Sequence, residues 1–116
     1  GNSKDFIKNE LERRFEYDLS RDYEEIQKDY RFHVSCQKSV PEAIIAFLVS
    51  NDYESAVRRA VAYGGDADTQ AAIAGSIAAA FYGEIPEIIQ TECNDKLPDE
   101  IKKVIFDLDN VIERKK

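Results

Sequence analysis

Tyr63-Gly64-Gly65-Asp66-Ala67-Asp68-Thr69-Gln70 separates two stretches whose apolar residues recur at helical spacing, so it reads as a helix-helix junction. Tyr53, Ala56, Val57, Ala60 and Val61 form the stripe before it, and Ile73, Ile77, Ala80 and Phe81 the stripe after it. Gly64 and Gly65 suit the positive φ that ends a helix, and Asp66 or Asp68 suits the cap of the next one. The same turn carries two carboxylates and a hydroxyl, the hard oxygen donors that Mg²⁺ and Mn²⁺ prefer. A cap needs no metal, and the turn alone is compatible with either role. An EF-hand is excluded: starting at Asp66 it would need glycine and glutamate where the chain has Ala71 and Ile77. A phosphoaspartyl transferase is excluded because Tyr63, Gly64 and Gly65 replace the buried apolar strand that would precede its acid.

Working outward, helical periodicity predicts helices joined by short connectors. A first helix is expected from about Lys4 to Glu16 and a shorter one from Asp22 to Tyr30. Ser39 is expected to cap a third with Pro41 in its first turn, ahead of the apolar run from Ala43 to Val49. Asn51 and Glu54 have capping-box spacing at the start of the helix that enters the turn. From Gln70 to Tyr82 the many small side chains predict a central helix that neighbours approach closely, stopped by Gly83. Pro86 and Pro98 each open a later helix. The segment Val104 to Val111 is similar to the nucleophile motif of haloacid-dehalogenase-type phosphotransferases, but Ile101, Val104, Ile105, Leu108 and Ile112 make a regular helical stripe instead. Tyr63, Phe81 and Tyr82 are expected mainly as core aromatics, and His33 as a packed or surface residue.

Several ordered blocks carry a family resemblance. They are Cys36 to Ala43, Ala46-Phe47-Leu48, Tyr53 to Val61, Gly64 to Thr69, Ala74 to Ala78 and Tyr82 to Pro86. Together, over roughly residues 20–98, they resemble the C-terminal part of the ADP-ribosylglycohydrolase family. That resemblance implies an all-α helical bundle, with residues 1–116 forming a single domain equivalent to the C-terminal half of the family's fold. It implies two Mg²⁺ or Mn²⁺ ions in the complete enzyme, with Asp66, Asp68 and Thr69 as the C-terminal ligands and Asp68 bridging. The implied reaction is hydrolysis of a glycosidic bond at the ribose carbon of an ADP-ribosyl group. Gly64 and Gly65 would let the backbone approach the substrate, and Ser39 and Gln37 are weaker candidates for the cleft wall.

The family's N-terminal Gly-Asp and Thr-Asp-Asp-Thr elements, which supply the other ligands and the assisting acid, do not occur in this chain. No catalytic residue can therefore be named, and the chain alone is expected to be inactive. The alternative is a non-catalytic fragment or subunit that binds ADP-ribose or pairs with a separate N-terminal half. A half bundle is also expected to expose an apolar patch along its central helix. A second copy would cover it near Phe47, Phe81 and Ile85.

Composition is consistent with one small globular unit: 43% of the 116 residues are apolar. Sixteen basic against twenty-three acidic residues give a net charge of −7, which argues against duplex nucleic acid or an anionic membrane as partner. Cys36 and Cys93 lack metal-ligand or redox spacing and read as reduced packing residues of a cytoplasmic protein. No apolar run is long enough for a transmembrane helix.

Overall fold

The computed structural model describes residues 2–29, 36–64 and 66–115, excepting the side chains of 29 and 36–38. Among these the fold is all-α, with seven helices and no strand. The chain divides into two compact units, Gly1–Glu84 and Ile85–Lys116.

In the first unit, α1 (Lys4–Phe15) is capped by Ser3, whose hydroxyl accepts from the Phe6 amide at 3.2 Å. Arg13 and Arg14 lie in its last turn, where positive charge suits the helix dipole. It ends at Glu16 with a left-handed φ of 59°. The helices α2 (Tyr23–Asp29) and α3 (Cys36–Leu48) follow, then α4 (Tyr53–Ala62) and α5 (Ala67–Tyr82). α3, α4 and α5 pack on one another, and α2 packs on α3.

Side-chain size explains this packing. Ala56 and Ala60 on α4, and Ala74 and Ala78 on α5, are fully buried, so the two backbones come close. A Cβ at Gly75 would sit 3.4 Å from both the Tyr53 hydroxyl and Val57 Cγ2. Larger side chains from α3, notably Ile44, Ile45 and Phe47, fill the remaining core. Gly83 closes α5 at φ 83°, as expected for a C-terminal glycine.

Several local expectations shift. The third helix does not begin at Ser39: it starts at Cys36, which leaves Pro41 inside it and Ser39 buried. An interior proline costs about 3 kcal/mol by removing one backbone bond. Burying Ile44, Ile45 and Phe47 contributes roughly 5–9 kcal/mol, so packing outweighs the break. The cap of α4 is Asp52 rather than Asn51, paired with Ser55 rather than Glu54. The Asp52 carboxylate accepts from the Ser55 amide at 2.7 Å, while the Asp52 amide donates to the Ser55 hydroxyl at 3.1 Å. Glu54, one turn before Arg58, pairs with it at 2.8 Å instead. Phe47 is fully buried and cannot meet a second copy in this conformation.

In the second unit, Pro86 and Pro98 precede α6 (Glu87–Asp95) and α7 (Asp99–Arg114). Neither helix buries a residue. Cys93, expected as a packing residue, is therefore exposed. The segment similar to a phosphotransferase motif lies inside α7 as a helix.

Candidate functional site

The glycine turn is anchored from behind by Tyr63, the last residue before it. Its hydroxyl donates to the Glu42 carbonyl of α3 at 2.8 Å, and its ring packs on Tyr23 of α2 at 5.0 Å. Two helices, α2 and α3, thereby fix where α4 ends. The Gly64 amide then donates to the Val61 carbonyl at 3.1 Å, and Gly64 takes a φ of 81°. Nothing lies within 4 Å of the place a Cβ would occupy, so glycine is required here by backbone conformation and not by space. Gly65 lies outside the described residues.

Asp66 is the N-cap of α5, its carbonyl accepting from the Gln70 amide at 3.0 Å. Its carboxylate closes no ordinary cap hydrogen bond. It turns toward the Thr69 hydroxyl, which holds the Asp66 carboxyl below the usual carboxylate range. The Asp68 side chain and the Thr69 amide add to that lowering, against an opposing effect of partial burial. Asp66 is half-buried, while Asp68 and Thr69 are exposed. The structure thus brings the three expected oxygen donors together on one helix N-terminus. This donor set fits a hard divalent cation, since all three groups are oxygens and two are carboxylates. The fit is partial: among the described residues no group of three or more His, Cys, Asp or Glu side chains is placed to hold a metal ion. The positive end of the α5 dipole opposes a cation, so the two carboxylates are needed to reverse the local field.

The weaker candidates sit differently. Ser39 is buried within α3, only 6% exposed, and is not part of the open surface of the turn. The side chain of Gln37 lies outside the described residues, as does His33. Gln70, directly behind the acids in sequence, is 1% exposed and belongs to the buried wall behind the turn.

A cleft of about 720 Å³ opens elsewhere, between Asn2 and Ile7 on one side and Ser76, Ile77, Ala80 and Phe81 on the other. Ile77 is eight residues beyond Thr69, roughly 12 Å along the helix. Among the described residues no carboxylate lines this cleft, so donor chemistry and not cavity size marks the candidate site. Phe81, expected mainly as a core aromatic, is 37% exposed on this cleft.

Two features escaped the sequence reading. Tyr63 positions the turn through its hydroxyl as well as filling core. Glu42, an acid at the head of an apolar run, is buried with its carboxylate 3.1 Å from Arg21. The only sequence signal for Glu42 was a charge directly before Ala43 to Val49.

No curated protein and no solved structure matches this chain. The ADP-ribosylglycohydrolase family model matches residues 4–116. With nearly the whole chain covered and an all-α fold presenting the glycine turn at a helix junction, the chain belongs to the ADP-ribosylglycohydrolase family.

Proposed function

We propose that this chain supplies one side of a dinuclear Mg²⁺ or Mn²⁺ site that hydrolyses an ADP-ribosyl glycosidic bond. The carrying observation is the convergence of Asp66, Asp68 and Thr69 at the start of α5, in a chain that matches the family over residues 4–116. Bound divalent ions supply Lewis acidity, lowering the pKa of water and orienting the ribose hydroxyls. Asp66, Asp68 and Thr69 would hold the ions through their side-chain oxygens, with Asp68 exposed beside the other two. Gly64 keeps the backbone low beside them, which leaves room for substrate. Tyr63 holds the turn against α3 so that these donors keep their positions. The remaining ligands and the assisting acid would come from the family's N-terminal Gly-Asp and Thr-Asp-Asp-Thr elements, which residues 1–116 do not contain. The spacing of the two cysteines supports a cytoplasmic location, and the net charge of −7 argues against nucleic acid and anionic membranes as partners. No helix among the described residues is long and apolar enough to cross a membrane.

Calorimetric titration of Mn²⁺ into the chain tests the donor set. Weak binding is expected, lost in Asp66→Ala with Asp68→Ala; binding that survives this pair of substitutions refutes it. With an ADP-ribosylated substrate, the chain alone should release no ADP-ribose above a chelator-treated control. Metal-dependent turnover by the chain alone that vanishes in Asp68→Asn would mean a second copy completes the site.

A second reading is favoured by the same shortage of ligands: the chain binds ADP-ribose, or a separate N-terminal half, without cleaving anything. Retention of ADP-ribose affinity after metal removal and in the Asp66→Ala, Asp68→Ala protein would select it.

A further inference from the structure

Within the first unit, α1 is joined to the rest far more loosely than α3, α4 and α5 are joined to one another. None of its residues is buried, and Leu11 is its one side chain packed against the core. A cleft of about 720 Å³ lies between its Ile7 and the Ile77 and Phe81 side of α5, and another of about 460 Å³ between its Lys4 and Lys8 and the Ile45 and Leu48 side of α3. Most of its polar contacts are local. Lys8 donates to the Ser20 hydroxyl at 2.7 Å and Glu12 accepts from the Leu19 amide at 3.0 Å, both in the segment that directly follows α1. Among the described residues of α1, Lys4 alone hydrogen-bonds across to the ends of α3 and α5.

The site that receives Lys4 is built without α1. The rings of Phe47, Phe81 and Tyr82 meet edge to face with centroids 5.1–6.2 Å apart, and the Tyr82 hydroxyl donates to the Ser50 carbonyl at 3.1 Å. Ring faces attract a cation, and the Leu48 carbonyl, Ser50 carbonyl and Tyr82 hydroxyl match in number the three donors of a primary ammonium. We infer that α1 is a strap that opens as one unit while α3, α4 and α5 stay packed, and that Lys4, seated in this preformed ammonium site, is the latch that keeps it closed. A free helix of 12 residues is marginal in water, so α1 loses its helix when it leaves. Opening empties the ammonium site and uncovers the Ile77 and Phe81 side of α5. The latch sits at the opposite end of α5 from the Asp66 turn and stands whatever that turn binds.

Amide hydrogen exchange of the whole chain, followed residue by residue in graded urea below the unfolding transition, tests the strap. The α1 amides should share one opening that costs less than the opening of the α3–α5 amides, with a weaker urea dependence because it exposes less surface. Lys4→Met should speed α1 exchange roughly 5- to 30-fold, the loss expected of two hydrogen bonds and the ring contacts. It should speed α3–α5 exchange by the same factor, because the latch is broken in global unfolding too. Asp52→Ala separates the two events. It removes a cap that survives the opening of α1 but not global unfolding, so it should speed α3–α5 exchange roughly five-fold and leave α1 exchange unchanged. α1 amides that follow the α3–α5 amides on one urea curve, or that Asp52→Ala speeds equally, overturn the strap. An α1 opening indifferent to Lys4→Met overturns the latch and assigns the hold on α1 to other contacts.

Discussion

Lys4 offers a direct measure of how α1 is held to the helical core. Its ammonium donates to the Tyr82 hydroxyl at 2.8 Å, to the Ser50 carbonyl, and more distantly to the Leu48 carbonyl at 3.4 Å. It also lies 5.0, 5.6 and 5.2 Å from the ring centroids of Phe47, Phe81 and Tyr82. No carboxylate among the described residues pairs with it. Lys4→Met keeps the aliphatic stem and removes the charge. Two good hydrogen bonds contribute about 1 kcal/mol each. The aromatic faces add about 1 kcal/mol at a half-buried site. Fixing the long side chain costs about 1–2 kcal/mol. The net loss should be about 1–2 kcal/mol, or a Tm lower by roughly 5–15 °C for a unit of this size. All six tyrosines lie before Ile85, so tyrosine fluorescence follows the first unit alone during urea or thermal unfolding. A cycle with Tyr82→Phe should give a coupling of about 0.5–1 kcal/mol. A Lys4→Met loss below about 0.5 kcal/mol, or strict additivity with Tyr82→Phe, would refute the latch.

Asp52→Asn should lower the Tm by a few degrees at neutral pH, read by thermal unfolding, because the neutral amide oxygen keeps the cap but loses the charge that strengthens its bond to the Ser55 amide and suits the helix dipole. The Ser55 amide, then its hydroxyl, lowers the folded-state pKa of Asp52. Its contribution is therefore complete above the ordinary aspartate pKa and fades as pH falls through the lower folded value, so the two proteins should converge in acid. Arg21→Ala should cost about 1–3 kcal/mol in urea unfolding, because it strips the partner from the buried Glu42 carboxylate while Arg21 itself is partly exposed. Adding Glu42→Leu should recover most of that loss, and a double variant worse than Arg21→Ala would contradict it. Gly75→Ala should be neutral or stabilising by up to about 1 kcal/mol, since its Cβ fits at 3.4 Å and glycine weakens a helix interior. A clear destabilisation would mean that α4 and α5 are closer than described.

Where helices lie, and that residues 63–70 join two of them, was legible in the chain because both signals are local. Helical period marks a helix, and a glycine pair beside capping acids marks its end. The convergence of Asp66 and Thr69 was legible for the same reason, since residues three apart at a helix start are neighbours. Boundaries set by burial were not. Pro41 reads as a first-turn residue until the burial of Ile44, Ile45 and Phe47 shows why the helix runs through it. Asn51 and Asp52 are equivalent as caps until the backbone selects Asp52. The contacts that hold the site and the core join residues far apart in sequence. Tyr63 meets Glu42, Arg21 meets Glu42, and Lys4 meets Ser50 and Tyr82 across as many as 78 positions. No local pattern encodes such a pair, because each exists only once several helices have packed and excluded water between them. The sequence by itself determined the helical class and the donor chemistry of the turn. Tertiary structure alone decided which faces of the first unit are buried and which charge is latched against its core.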